Sequence, residues 1–211
     1  MQAKLERMTM RFSVALSMMF AAQTLLFAQE NGNTSKSQST PAKPSAEQVQ
    51  QAKDVIHRQF GEGFMLVANA EASILTGDFD GDGIEDAAFV ASSKKLPQVD
   101  TAAGYRMIDP YDDFFGFGNP HVTIRFNGTE PDRARYLLIV HGSGAEAWRS
   151  SSPKSKYVII NLPFDSLEVT EFIWKKKKKP ITGIEATETS MMSSMLFWDG
   201  KKYRWEPTGA D

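Results

Sequence analysis

Apolar positions recur at helical spacing once along this chain and at strand spacing many times. Val49, Ala52, Ile56 and Phe60 repeat every three or four residues, and Ser45 followed by Gln48 has the form of a capping box. An amphipathic helix is therefore predicted over 45–60, ended by Gly61 and Gly63. Beyond it the period changes: Val122, Ile124 and Phe126 alternate with polar neighbours, and YLLIV (136–140) and YVIINL (157–162) are short runs rich in β-branched and aromatic residues. Further strands are predicted at 64–68, 72–76, 87–91 and 167–174, and MLFW and KYRW flank Asp199-Gly200 as a hairpin. In that hairpin Phe197, Trp198, Tyr203 and Trp205 are expected as cross-strand neighbours that close the core. One helix followed by about eight strands predicts a mainly β (α+β) domain, an antiparallel sheet or sandwich.

The N-terminal segment has a different pattern. Lys4, Arg7 and Arg11 precede an apolar stretch over 12–27, which reads as a secretory signal peptide over 1–28 with cleavage after Ala28. The stretch is shorter than the ~20 residues a membrane span needs, and Ser13, Ser17 and Gln23 interrupt it, so no membrane span is expected. Residues 29–44 hold no large apolar side chain and are predicted to be a disordered linker. The remaining 45–211 suits a single β-rich domain, expected to be a secreted or periplasmic monomer.

Charge narrows the function classes. The full chain carries 24 basic and 26 acidic residues; without Lys4, Arg7, Arg11 and Glu6 the mature balance is 21 to 25, a formal charge of −4 that does not suggest nucleic-acid binding. There is no cysteine, which excludes disulfides, thiolate zinc sites and lipid attachment at a leader cysteine.

The chemistry concentrates in LTGDFDGDGIEDAAFV (75–90). Counted from Asp78, acids fall at positions 1, 3, 5 and 9, with Gly81 and Gly83 at 4 and 6. Calcium takes six to eight oxygens, and this spacing lets a tight loop converge the carboxylates of Asp78, Asp80, Asp82 and Asp86 with the Ile84 carbonyl. Confined without a cation, each carboxylate pair would repel by about 1 kcal/mol or more at 4 Å. A calcium ion, mainly structural, is the expected cofactor. An EF-hand is excluded, because position 12 is Phe89 rather than a bidentate glutamate and both flanks read as strand. The pattern D-x-D-G-D-G-x-x-D at Asp78, Asp80, Gly81, Asp82, Gly83 and Asp86 resembles the calcium loop of FG-GAP and VCBS-type repeats, the blades of integrin-like propellers. That resemblance implies a β-loop-β calcium site on an extracellular protein. The motif occurs once, so a propeller and its adhesion role are not expected.

Weaker constellations remain. His141-Gly142-Ser143-Gly144 lacks a G-x-S-x-G elbow and is expected to be a solvated turn. The irregular loop 105–120 carries Tyr105, Tyr111, Phe114, Phe115, Phe117, Asp109, Asp112 and Asp113. A local mini-core is expected there, with a glycan pocket as the alternative. The lysine run 175–179 is expected to be solvated, or else to attract an anionic polymer weakly. Two functions follow: a secreted, calcium-stabilised, non-catalytic interaction module, or a small extracytoplasmic hydrolase or glycan-acting enzyme with its site in loops 105–120 and 141–148. N-terminal sequencing of the exported protein is expected to begin at Gln29; a cytoplasmic product retaining Met1 would contradict the leader.

Overall fold

The computed structural model describes residues 44–67, 72–93, 104–115, 135–175, 179–188 and 192–209, all within one compact unit, Ser39–Asp211. The leader, nearly all of the linker and the strand predicted at 122–126 lie outside the described residues.

The predicted helix is α1, Ala46–Phe60, and both halves of its capping box form: the Ser45 hydroxyl accepts from the Gln48 amide, and the Gln48 side chain accepts from the Ser45 amide. Gly61 ends it at φ 81°, a left-handed conformation that favours glycine. The protein is mainly β, with ten strands in two sheets among the described residues. Six strands make sheet A: β1 (Phe64–Leu66), β2 (Ile74–Gly77), β3 (Asp86–Ser93), β4 (Arg106–Ile108), β5 (Arg135–His141) and β6 (Ser155–Ile159). Its order is β1-β3-β5-β6-β4. β2 also pairs β3, so β1 and β2 run along different halves of one edge, with Leu66 opposite Ala91 and Ile74 opposite Phe89. All pairings in it are antiparallel except β4 with β6. Sheet B is an antiparallel meander of β7 (Ser166–Phe172), β8 (Ile181–Thr187), β9 (Ser193–Trp198) and β10 (Tyr203–Gly209).

The unbroken apolar runs have a simple cause. Sheet A is covered on both faces, so successive residues of its central strands enter different cores. Ala87, Phe89, Tyr136, Leu138 and Val158 pack beneath α1 with Ala52, Ile56 and Phe60. Their neighbours Ala88, Val90, Leu137, Ile139 and Ile159 face sheet B, against Ile184, Leu196 and Tyr203. The result is three layers, helix on sheet on sheet.

Three features go beyond the sequence prediction. β4 and α2 (Pro110–Phe115) form inside the aromatic loop: Tyr105 packs with Phe60 and Phe64, and Phe114 meets Trp205 edge-on at 5.2 Å. The terminal hairpin turns through four residues, with Trp198 opposite Tyr203, and its aromatics divide between faces. Trp198, Tyr203 and Trp205 join the core between the sheets, whereas Phe197 is buried beneath Phe172 and Trp174 on the outer face. Strand β8 was not predicted because Gly183 weakens its strand signal. That glycine is required by packing: a β-carbon there would lie 2.8 Å from the Phe172 ring, 2.9 Å from Met195 Sδ and 3.2 Å from the Leu196 carbonyl oxygen. Gly183→Ala should lower stability by about 1–3 kcal/mol through overpacking, read as a drop in the denaturation midpoint at unchanged m-value.

Candidate metal centre

The acidic loop joins β2 to β3, with Gly77 paired to Asp86 at its neck. Asp78 organises its tip: one carboxylate oxygen accepts from the amides of Gly81 (2.8 Å) and Asp82 (3.0 Å), and the other from Gly83 (2.8 Å). Asp80 accepts from the Asp82 amide, and Asp82 from the Ile84 amide at 2.9 Å. Gly81 and Gly83 sit at φ 78° and 85°, which lets the chain coil tightly enough to point these amides inward.

Asp86 has a different place from the other acids. Alternation along β3 puts it on the sheet B side with Ala88 and Val90, where it is 1% exposed. One of its oxygens accepts from the amides of Phe79 (2.8 Å) and Asp80 (3.3 Å), and the other from the amide of Gly142 (2.7 Å). Burial pushes its carboxyl up to about 7; the amide hydrogen bonds oppose that rise, and the nearby Asp80 charge adds to it.

His141 is the second buried member. The expectation of a solvated turn fails for this residue, which is 1% exposed. It follows Leu137 and Ile139 onto the sheet B face, and its ring packs against Tyr157, Trp198 and Tyr203 at 5.1–5.7 Å. Nε2 lies 2.7 Å from the Tyr203 hydroxyl; Nδ1 lies 3.2 Å from an Asp80 oxygen and 3.0 Å from Oγ of Ser155, its cross-strand neighbour. An ionised Asp80 only accepts, so the arrangement that satisfies every partner has the proton on Nδ1 and Tyr203 donating to Nε2. Burial lowers the His141 pKa to about 4, against the pull of Asp80, which keeps the ring neutral.

The sequence places no Lys or Arg beside the loop, but the fold supplies one. Lys154, from the turn before β6, sets its ammonium 2.7 Å from an Asp80 oxygen and 2.6 Å from an Asp82 oxygen. These contacts push its pKa above the ordinary lysine range and hold the Asp82 carboxyl below the usual carboxylate range. Glu85, which the loop spacing leaves without a ligand role, accepts from Trp148 Nε1 at 2.9 Å and pairs with Arg149 at 3.5 Å, while Arg149 also stacks on Trp148 and donates to Gln51 of α1.

Two sets of potential ligand atoms result, each with its members within 4.8 Å of one another: Asp78, Asp80 and Asp82 at the loop tip, and Asp80, Asp86 and His141 beneath it. Of the five expected ligands, the structure gathers Asp78, Asp80 and Asp82 in one set, turns Asp86 inward, and engages Ile84 through its amide. His141 and Lys154 were missed as partners; they lie 61 and 74 positions from Asp80, beyond the reach of any local spacing rule. In the loops of the alternative enzyme site, Ser143 Oγ donates to the Ser152 carbonyl at 2.6 Å and Asp113 pairs with Lys202 at 2.6 Å, while residues 116–120 lie outside the described residues. In the lysine run, Lys175 pairs with Glu206 at 3.0 Å and lies over Trp174, while residues 176–178 lie outside the described residues. No family model, curated protein or solved structure matches this chain.

Gly142, just after β5, lies close against the end of the acidic loop and the turn over 144–149. A β-carbon there would lie 2.4 Å from the Glu85 carbonyl oxygen, 2.8 Å from the Ala147 carbonyl carbon and 2.9 Å from the Trp148 amide nitrogen. All three are main chain and cannot rotate away. Gly142→Ala should therefore cost about 3 kcal/mol or more, seen as a larger loss of melting temperature than for Gly183→Ala.

Proposed function

We propose that this chain is a calcium-binding β-rich module that acts outside the cytoplasm, in which the ion holds loop 78–86 in shape and the protein's task is interaction rather than chemistry. The observation that carries this is the convergence of the Asp78, Asp80 and Asp82 carboxylates, with the Lys154 ammonium against two of them. A loop whose own fold brings a cation to its carboxylates is built around positive charge. The three side chains offer only oxygen donors, which suits a hard cation, and several carboxylates on a coiled loop suit calcium's adaptable coordination better than the strict octahedron of magnesium. The Ile84 carbonyl and Asp86 complete the proposed ligand set, in the order found in FG-GAP and VCBS-type loops. The non-catalytic part rests on His141, which is buried, neutral and engaged at both nitrogens, as an orienting residue would be. No helix among the described residues is long and apolar enough to cross a membrane.

Lys154 is then a tethered competitor for the ion. Calcium should bind one site and raise the melting temperature, by the equivalent of ~2.7 kcal/mol at a hundredfold excess over Kd. Asp82→Ala, at an exposed ligand, should weaken binding about tenfold or more, whereas Glu85→Ala should leave calcium affinity unchanged while lowering stability by about 1 kcal/mol. Lys154→Met should lower stability in chelator yet bind calcium more tightly than the parent. Titration calorimetry with calcium checks all three. A chelator that leaves the melting temperature unchanged, or equal calcium affinity in the Asp82 and Glu85 variants, would overturn the assignment.

A further inference from the structure

A cleft of about 450 Å³ opens beside the acidic loop, between its outer wall and the ends of sheet B. Four carboxylates line it, Asp78 and Asp80 from the loop, Glu171 from β7 and Asp199 from the β9–β10 turn, together with Trp198 and Ile181. Among the described residues no Lys, Arg or His lines it, while Lys154 pairs with Asp80 and Arg204 with Asp199 from outside the lining. Trp198 is partly exposed and held from behind by His141, Tyr157 and Tyr203 at 5.3–5.4 Å, so its ring is a fixed wall. Asp199 is anchored by the amides of Lys201 (2.8 Å) and Lys202 (3.0 Å) and by Arg204.

We propose that this cleft binds an organic cation, an alkylammonium or guanidinium group. The carboxylates come from three separate elements across a volume typical of small-molecule sites, a spread that suits an extended ligand rather than one bare metal ion. An indole face attracts a weakly hydrated organic cation, and Ile181 offers apolar surface for its alkyl chain. Lys154 provides an intramolecular precedent: an alkylammonium already docks on Asp80 and Asp82 at 2.7 and 2.6 Å. A free polyamine and a lysine or arginine side chain of a peptide share this chemistry.

The test uses the full chain in chelator, which separates it from the calcium reading: failure here leaves that reading standing, and the converse holds. Spermidine and a short lysine-containing peptide are each titrated by nitrogen-proton correlation NMR, following the Trp198 indole signal. Saturable shifts are expected at one site, with 1,4-butanediol giving none. Glu171→Gln, on the exposed edge of β7, should weaken binding about fivefold at an unchanged melting temperature, and Trp198→Phe should weaken it by a similar factor. Tighter binding of spermidine identifies a free amine as the ligand, and tighter binding of the peptide identifies a protein side chain. An absence of saturable shifts with either cation, an equal response to the diol, or parent-like affinity in Glu171→Gln would overturn the proposal.

Discussion

The site depends on one short side chain. Asp86 sits between two sheets, out of water, and takes three main-chain amides, two from its own loop and one from the end of β5. A hydrogen bond contributes about 0.5–3 kcal/mol net, most when its acceptor is charged, and an amide left unpaired in such a place would cost about 1–3 kcal/mol. The carboxylate thus fastens a glycine-rich loop to the most deeply buried strands of the molecule. Every other feature of the site builds on that attachment: Gly142 can approach because it lacks a side chain, His141 follows it into the sheet interface, and Asp80 is brought over the histidine.

The His141–Tyr203 contact extends the same attachment across the sandwich. Tyr203 comes from β10, His141 from β5 and Asp80 from the loop, so a chain of hydrogen bonds runs from sheet B through sheet A to the proposed cation position. Around it the rings of Tyr157 and Trp198 exclude water, which strengthens each polar contact and makes an unpaired one costly. The arrangement gives the loop a buried floor, while Asp78 at its tip is half-buried and Asp82 is exposed.

Much of this was legible in the sequence, for local reasons. The capping box at Ser45, the acid spacing from Asp78 and the hairpin around Asp199-Gly200 are set by neighbours within a few residues. The runs YLLIV and YVIINL carried a further signal: strands apolar at every position are strands covered on both faces, which foretells a helix layer opposite the second sheet. What could not be read was set by partners distant in sequence. Lys154 is one lysine among many until the turn before β6 brings it to Asp80, and His141 resembles a turn residue until alternation along β5 places it under the loop. Gly183 reads as a strand breaker and is instead the gap that Phe172 fills.

The two sheets differ in how far along the chain their pairings reach. Sheet B is sewn from consecutive strands, each pairing with the next after a short excursion. The loop's anchors span much more: 56 residues from Asp86 to Gly142 and 74 from Asp80 to Lys154. Contacts of high sequence separation carry a larger chain-closure entropy and form more slowly than hairpins. On that ordering the meander can form early, while the acidic loop acquires its floor only once β5 and β6 have docked. A nascent chain stopped before residue 154 would hold the loop's four aspartates, His141 and Gly142 but neither Lys154 nor the Tyr203 hydroxyl that His141 meets, so the proposed cation position is complete only in the finished fold.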